Sequence, residues 1–383
     1  MEMSLSLPKI PINYSGFFNF TGYGQAASSN VFALHKSGLF DIRIDPVNSR
    51  PSKEAYTEEQ FDLLMEMRAK PLDENAFQVL HMIPQQYMRV KNLKRRIAFA
   101  TFETFNPPAD WITLLNRCDC VFVPSKFNLD TFTRAGVKRP MFHIPHILNL
   151  DIWNKDIIPL RKNDKFTFLF VGTWRPRKGG QLLIDAWVRE FESDENVQLI
   201  IKTDSVDKAR QAYLQSKKNW GKKETATVLF EREVFKEHEM ARFIKSADCL
   251  ISPTLGEGFG LPPIQAMSVK VPVIVTNFSG CKDYAKSDNC TLLEPSGYMV
   301  HDCLDPSPQF KLKKWPRVKV ADIQEAMRQV LQKYQGVQDK SDKAYELVQS
   351  QYGYEAFSSK FQDMMENVYG ANNFKTKTLQ RNA

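Results

Sequence analysis

The sequence predicts an α/β protein of two doubly wound domains, on three observations. The chain twice runs through an alternation of short apolar strands, glycine-bearing loops and helices. Between Asn149 and Lys165 that alternation breaks into polar, proline-bearing sequence, NLDIWNKDIIPLRKNDK. At 383 residues the chain is also longer than one ordinary core supports. The expected domains are residues 1–155 and 156–353, with a last helix over 354–383 completing the first.

The first series opens with a strand over PKIPINY, Pro8 to Tyr14. A loop carrying Gly16, Gly22 and Gly24 follows, and Val31 and Leu34 then recur at helical spacing until Gly38 stops the helix. FDIRIDPV reads as the next strand. FQVLHMI is another, with His81 near its carboxyl end, where ligands gather in open α/β sheets. IAFATFE is expected to run as a strand to Glu103, and CDCVFVPS and MFHIPHI supply two more, the last holding His143 and His146.

The second series restarts at FTFLFVG, and its centre is the stretch from Asp248 to Thr276. There the apolar strand DCLISPT leads into LGEGFGLPPIQAMSVKV and then PVIVT. Gly256, Gly258 and Gly260 let backbone amides approach a ligand, and the helix that follows has Pro262 and Pro263 in its first turn, where a missing N–H costs nothing. This reads as a phosphate cradle with the Glu257 carboxylate at its lip. Later, Asp322 with Glu325 three residues on reads as a capping box, and a final helix covers Tyr354 to Tyr369.

Composition narrows the class. Hydrophobic residues make up 43% and charged residues 25%, as in globular proteins, and no apolar run approaches the roughly 20 residues that span a bilayer. The first residues lack the basic and apolar regions of a signal peptide, so a cytoplasmic location is expected. Six cysteines, at 118, 120, 249, 281, 290 and 303, show no C-x-x-C spacing and read as reduced structural thiols. The net charge of +8 favours an anionic partner without naming it. The basic run Arg89, Lys91, Lys94, Arg95 and Arg96 reads as a solvated face, or else as a docking patch for an anionic acceptor.

A second anion site stands at VGTWRPRKGG, where Gly172, Arg175, Arg177 and Lys178 follow a strand and precede a helix. It is not a Walker A loop, since no glycine directly precedes Lys178. Together the two loops set fixed cations and backbone donors around one diphosphate, which stabilises charge building on a leaving group. With no D-x-D cluster in view, no metal site is expected, and no cofactor is required.

The run Glu257-Gly-Phe-Gly-Leu-Pro-Pro-Ile-Gln265, followed by Ala-Met and later Pro-Val-Ile, resembles the E-x7-E signature of the retaining GT-B glycosyltransferases of group 1, the GT4 family. VGTWRPRKGGQLLIDAW is similar to that family's phosphate-binding strand, loop and helix. FETFNPPADW, CDCVFVPSKFNLDTFTRAGV and IPHILNLDIWN resemble the end of its first domain. The resemblance covers most of the chain and implies the GT-B architecture, two Rossmann-like domains facing each other across a cleft. It implies that Lys178 binds the donor diphosphate with help from Arg175, and that Glu257 contacts the donor sugar. The amides of the Gly258, Phe259, Gly260 and Leu261 loop would hold the diphosphate, with Gln265 near the ribose, His81 near the reacting sugar, and Gly22 and Gly24 where acceptor and donor meet. The family's second acidic residue is Gln265 here, and its arginine after the strand glycine is Thr173.

The expected activity is therefore transfer of a sugar, with retention, from a nucleotide-diphosphate sugar to a saccharide or lipid-linked hydroxyl, with peripheral membrane contact allowed. A hydroxymethylated base of DNA is the alternative acceptor, flipped out to reach the cleft. A nucleotide-sugar-binding protein without catalysis is the alternative of another class, and a sugar-nucleotide epimerase lacks identifiable acid/base carboxylates.

Overall fold

The structure, a computed structural model, describes residues 9–48, 50–301 and 304–370. The first domain runs β1 (Ile10–Gly16), α1 (Gly22–Lys36), β2 (Phe40–Pro46), α2 (Glu58–Ala69), β3 (Phe77–His81), β4 (Arg96–Phe99), α3 (Ala109–Leu115), β5 (Cys120–Val123), α4 (Lys126–Ala135) and β6 (Met141–His143). The second runs β7 (Phe166–Val171), α5 (Gly180–Glu190), β8 (Val197–Lys202), α6 (Val206–Asn219), β9 (Thr227–Glu231), α7 (Glu237–Lys245), β10 (Cys249–Ser252), α8 (Leu261–Ser268), β11 (Val273–Thr276) and β12 (Thr291–Leu293). A hairpin of β13 (Tyr298–His301) and β14 (Lys313–Pro316) follows, then α9 (Val320–Gln332), α10 (Tyr334–Gln351) and α11 (Tyr354–Tyr369).

Each domain is a parallel six-stranded sheet, ordered β2-β1-β3-β4-β5-β6 and β12-β11-β10-β7-β8-β9. The strand order reverses between β1 and β3 in the first sheet and between β7 and β10 in the second. At such a reversal the flanking loops leave in opposite directions and open a crevice at the carboxyl ends of the strands. Those two crevices hold the residues 16–22 loop with His81, and the loops 172–179 and 253–260.

After β12 and the hairpin, α9 and α10 pack on the second domain, and the chain then crosses back. In α11, Ser358 donates to the Ala33 carbonyl of α1, and Phe361 stands edge-on to Phe40 and Phe122 in the first core. Residues 371–383, the rest of the expected last helix, lie outside the described residues, as does Cys303. The other five cysteines are free and buried.

Several local expectations need correction. β4 ends at Phe99, so Glu103 stands in the loop beyond it. Gly22 and Gly24 lie in the first turn of α1, where Thr21 caps the Gly24 amide. A Cβ on Gly24 would come within 2.3 Å of the Asn19 carbonyl, so the loop folds back on the helix and glycine is required. No capping box forms at Asp322: the N-cap residue of α9 is Lys319, and Asp322 lies within the first turn. The basic run is not one solvated face. Arg96 is buried and donates to the Tyr87 carbonyl, while Arg95 lies over the Phe77 ring and bonds the Asn75 carbonyl. Among the described residues no helix is long and apolar enough to cross a membrane.

Candidate active site

Loops 172–179 and 253–260 touch at the second domain's crevice. Gly179 adopts a left-handed conformation (φ 77°), and a Cβ there would come within 2.0 Å of the Pro253 carbonyl oxygen. That approach brings Lys178 to Glu257, with Nζ 2.6 Å from Oε1. Glu257 is held in place by its neighbours: its amide donates to Ser279 Oγ at 2.9 Å and its carbonyl accepts from the Gly280 amide.

Arg177 is engaged on every side. Nε lies 2.8 Å from Asp305 Oδ2, Nη1 donates to the Gly256 carbonyl at 2.9 Å, and Nη2 lies 3.2 Å from Glu103 Oε1 on the first domain. Phe310 lies 5.6 Å beneath the guanidinium. Burial raises the Glu103 carboxyl above its ordinary range; Arg177 pulls against that rise and Glu257 adds to it. Three carboxylates thus surround two cations. Arg177, with all three nitrogens occupied, is a strut, whereas the Lys178 ammonium gives one of its three donors to Glu257. Among the described residues no group of three His, Cys, Asp or Glu is placed to hold a metal ion, and the carboxylates gather on a guanidinium instead.

The glycine loop supplies the donors. Residues 253–261 are all buried, yet among the described residues the amides of Gly258, Phe259, Gly260 and Leu261 meet no protein acceptor. Pro262 and Pro263 carry no N–H, so the start of α8 presents only these amides. Four buried unpaired donors in a row suit an anion, because native proteins pair almost all such groups.

The first domain closes directly over this loop. A Cβ on Gly256 would stand 2.5 Å from the Glu103 carbonyl, and one on Gly258 1.7 Å from Thr101 Oγ1. Ser125 Oγ donates to the Gly258 carbonyl at 2.9 Å. The first turn of α1 meets α8 where Gly22 faces Leu261 and Gln265 Nε2 donates to Gln25 Oε1 at 3.3 Å. On the hairpin side Thr104 Oγ1 donates to the Lys314 carbonyl and Lys313 Nζ to the Asn106 carbonyl.

His81 joins the site through stacked rings. It stacks on Phe99 with centroids 4.2 Å apart, Phe99 stacks on His146 at 5.8 Å, and His146 meets Phe259 of the glycine loop edge-on at 5.2 Å. The Tyr23 ring centroid lies 6.0 Å from that of His81, and burial, with the charge of Glu103 adding to it, pushes the Tyr23 hydroxyl well up.

The structure therefore brings together Lys178, Glu257, residues 258–261, Gln265, Gly22, Gly24 and His81. Arg175 stays exposed at the rim, outside the ion-pair network. Glu103, Asp305, Ser279 and Tyr23 do not stand out in the sequence as site residues. Position after a strand at a sheet's carboxyl edge is the one signal that could have singled out Glu103; Asp305 carried none.

Two facing Rossmann-like domains with this cleft define the GT-B fold. Anabaena HepE, in a crystal structure with UDP-glucose, superposes with a TM-score of 0.66 over 94% of this chain and 100% of that one, at 11% identity. Residues 151–306 match the family model for glycosyl transferases group 1. The human alpha-1,3/1,6-mannosyltransferase ALG2 is 24% identical over 196 residues, 46% of this chain and 47% of its own. D-inositol 3-phosphate glycosyltransferase of Paenarthrobacter aurescens is 30% identical over 145 residues, 37% of this chain and 34% of its own. The chain thus spans less than half the length of either curated relative.

Proposed function

We propose that the protein is a glycosyltransferase that moves a sugar from a nucleotide-diphosphate donor to an acceptor hydroxyl. The observation that carries this reading is the row of buried unpaired amides at residues 258–261 that follows Glu257, whose carboxylate holds the partly free ammonium of Lys178. The diphosphate accepts hydrogen bonds from the amides and from Lys178, and Glu257 meets the sugar hydroxyls. Gln265, which offers one neutral carbonyl oxygen, and Gln25 beside it stand where the ribose is recognised. The names of the relatives, a mannosyltransferase and an inositol phosphate glycosyltransferase, agree with the class.

In the reaction the bond from the anomeric carbon to the phosphate oxygen breaks and one to the acceptor oxygen forms. Charge builds on the departing diphosphate, and the fixed donors stabilise it there. Retention of configuration fits a departing phosphate oxygen that takes the acceptor proton. Saccharide and lipid-linked hydroxyls are the favoured acceptors. DNA is disfavoured, because two of the five cations of the basic run are spent on internal bonds.

Release of nucleoside diphosphate from a panel of UDP-, GDP-, ADP- and TDP-sugars tests the reading, with the anomer of the product read by NMR. Lys178→Ala is expected to weaken nucleoside diphosphate binding by about ten- to a hundredfold, as for loss of a charge-assisted hydrogen bond. Unchanged binding and turnover in both Lys178→Ala and Glu257→Ala would refute this site.

A further inference from the structure

His81 is 1% exposed and ends β3 beside the first crevice. Tyr14 pairs with Val79 in the adjacent parallel strand, so Tyr14 and His81 share a face of the sheet. The Tyr14 hydroxyl lies 2.7 Å from His81 Nδ1. It also accepts from Asn30 Nδ2 of α1 at 3.1 Å. Tyr14 and Asn30 are both wholly buried.

These two bonds fix a direction. The tyrosine oxygen already accepts from Asn30, and a buried hydroxyl that donates nothing forfeits a bond it made in water. Its one hydrogen therefore goes to His81 Nδ1. Reversing the Asn30 amide would turn the bonds around. As placed, the amide leaves its oxygen without a partner. Reversed, it would set two N–H donors in that same empty spot, and unpaired donors are the rarer fault. Burial, with His146 adding to it, holds His81 well below the usual imidazole range, so the ring carries one proton. With Nδ1 accepting, that proton sits on Nε2.

We propose that Tyr14, oriented by Asn30, is a positioning residue that holds His81 as its Nε2–H tautomer, so that His81 meets the bound sugar as a hydrogen-bond donor and not as a base. The proposal rests on the reading of His81 as a residue of the sugar site. It leaves the departing phosphate oxygen, rather than His81, to receive the acceptor proton.

The full chain labelled with 15N-histidine tests the tautomer without any substrate. A long-range 1H–15N spectrum at pH 7 should show His81 with bare Nδ1 and protonated Nε2, and Tyr14→Phe should convert it to a mixture. Asn30→Leu, which frees Tyr14 to reverse, is the second variant and should do the same. An Nδ1–H or doubly protonated ring in the unaltered protein overturns the proposal, as does an unchanged pattern in both variants.

The kinetic arm separates positioning from packing. Tyr14→Phe should lower kcat about tenfold while donor KM moves less than about twofold, and it should cause no further loss on a His81→Ala background. A further loss there shows that Tyr14 acts on its own and sinks the proposal. Full turnover in His81→Ala alone overturns the sugar-site reading, and the role of Tyr14 with it, while leaving the tautomer intact.

Discussion

Arg177 and Lys178 are neighbours in sequence with opposite tasks. Lysine keeps rotatable donors for a ligand, whereas the planar fork of arginine suits several fixed acceptors at once. Arg177 uses that fork to join Asp305 and the Gly256 carbonyl on its own domain to Glu103 on the other. Arg177→Lys should therefore leave at least one buried carboxylate unpaired. Breaking such a pair costs about 3–5 kcal/mol, which a urea unfolding curve would register; a loss under about 1 kcal/mol would show that Arg177 is no strut. The sequence displayed both cations but not their division of labour, because Asp305 and Glu103 lie 128 and 74 residues from Arg177 in the chain. Arg175 is alike in the string, and its exposure and its place outside the ion pairs separate it from the other two.

Among the elements, the glycine loop was the most legible, since strand, glycines, prolines and helix follow one another without a gap. In the sequence its glycines read as room for a ligand; in the structure Gly256 and Gly258 also make room for the other domain. Gly258→Ala should test this. The new methyl would overlap Thr101, so the second domain should keep its fold while the two domains stand apart, seen as a larger radius of gyration in X-ray scattering. An unchanged radius would mean that Thr101 simply turns aside. Other elements were missed for identifiable reasons. The capping box at Thr57 and Gln60 that opens α2 was present but unread. The buried stripe of α10 is Val337, Ser341, Ala344 and Val348, and two of those four are too small or polar to register as apolar. The hairpin β13–β14 has no run of alternating residues long enough to announce it.

In the molecule as a whole, the two domains meet over a buried histidine pair, and this gives stability a pH dependence. Burial depresses His146 to about 3 and His81 well below its ordinary range, whereas both titrate near 6.5 in the unfolded chain. As pH falls below 6.5 the unfolded state takes up protons that the folded state refuses. Stability therefore drops, on the order of 1.4 kcal/mol per pH unit for each histidine once fully engaged. Glu103 and Glu237, held up by burial, run the other way above pH 4.5. The clean measurement is a difference: between pH 6.5 and 5 the unfolding free energy of His146→Gln should fall less steeply than that of the unaltered protein. Equal slopes would show that His146 charges freely in the fold. The sequence by itself determined the two α/β series and their glycine-bearing loops between strand and helix, because periodicity, glycine and proline act over a few residues. Which carboxylate faces which cation, the ring stack that carries His81 to the glycine loop, and the bond that orients it depended on the tertiary structure. Those contacts join residues tens to hundreds of positions apart, and they exist only after two sheets reverse their strand order and close on each other.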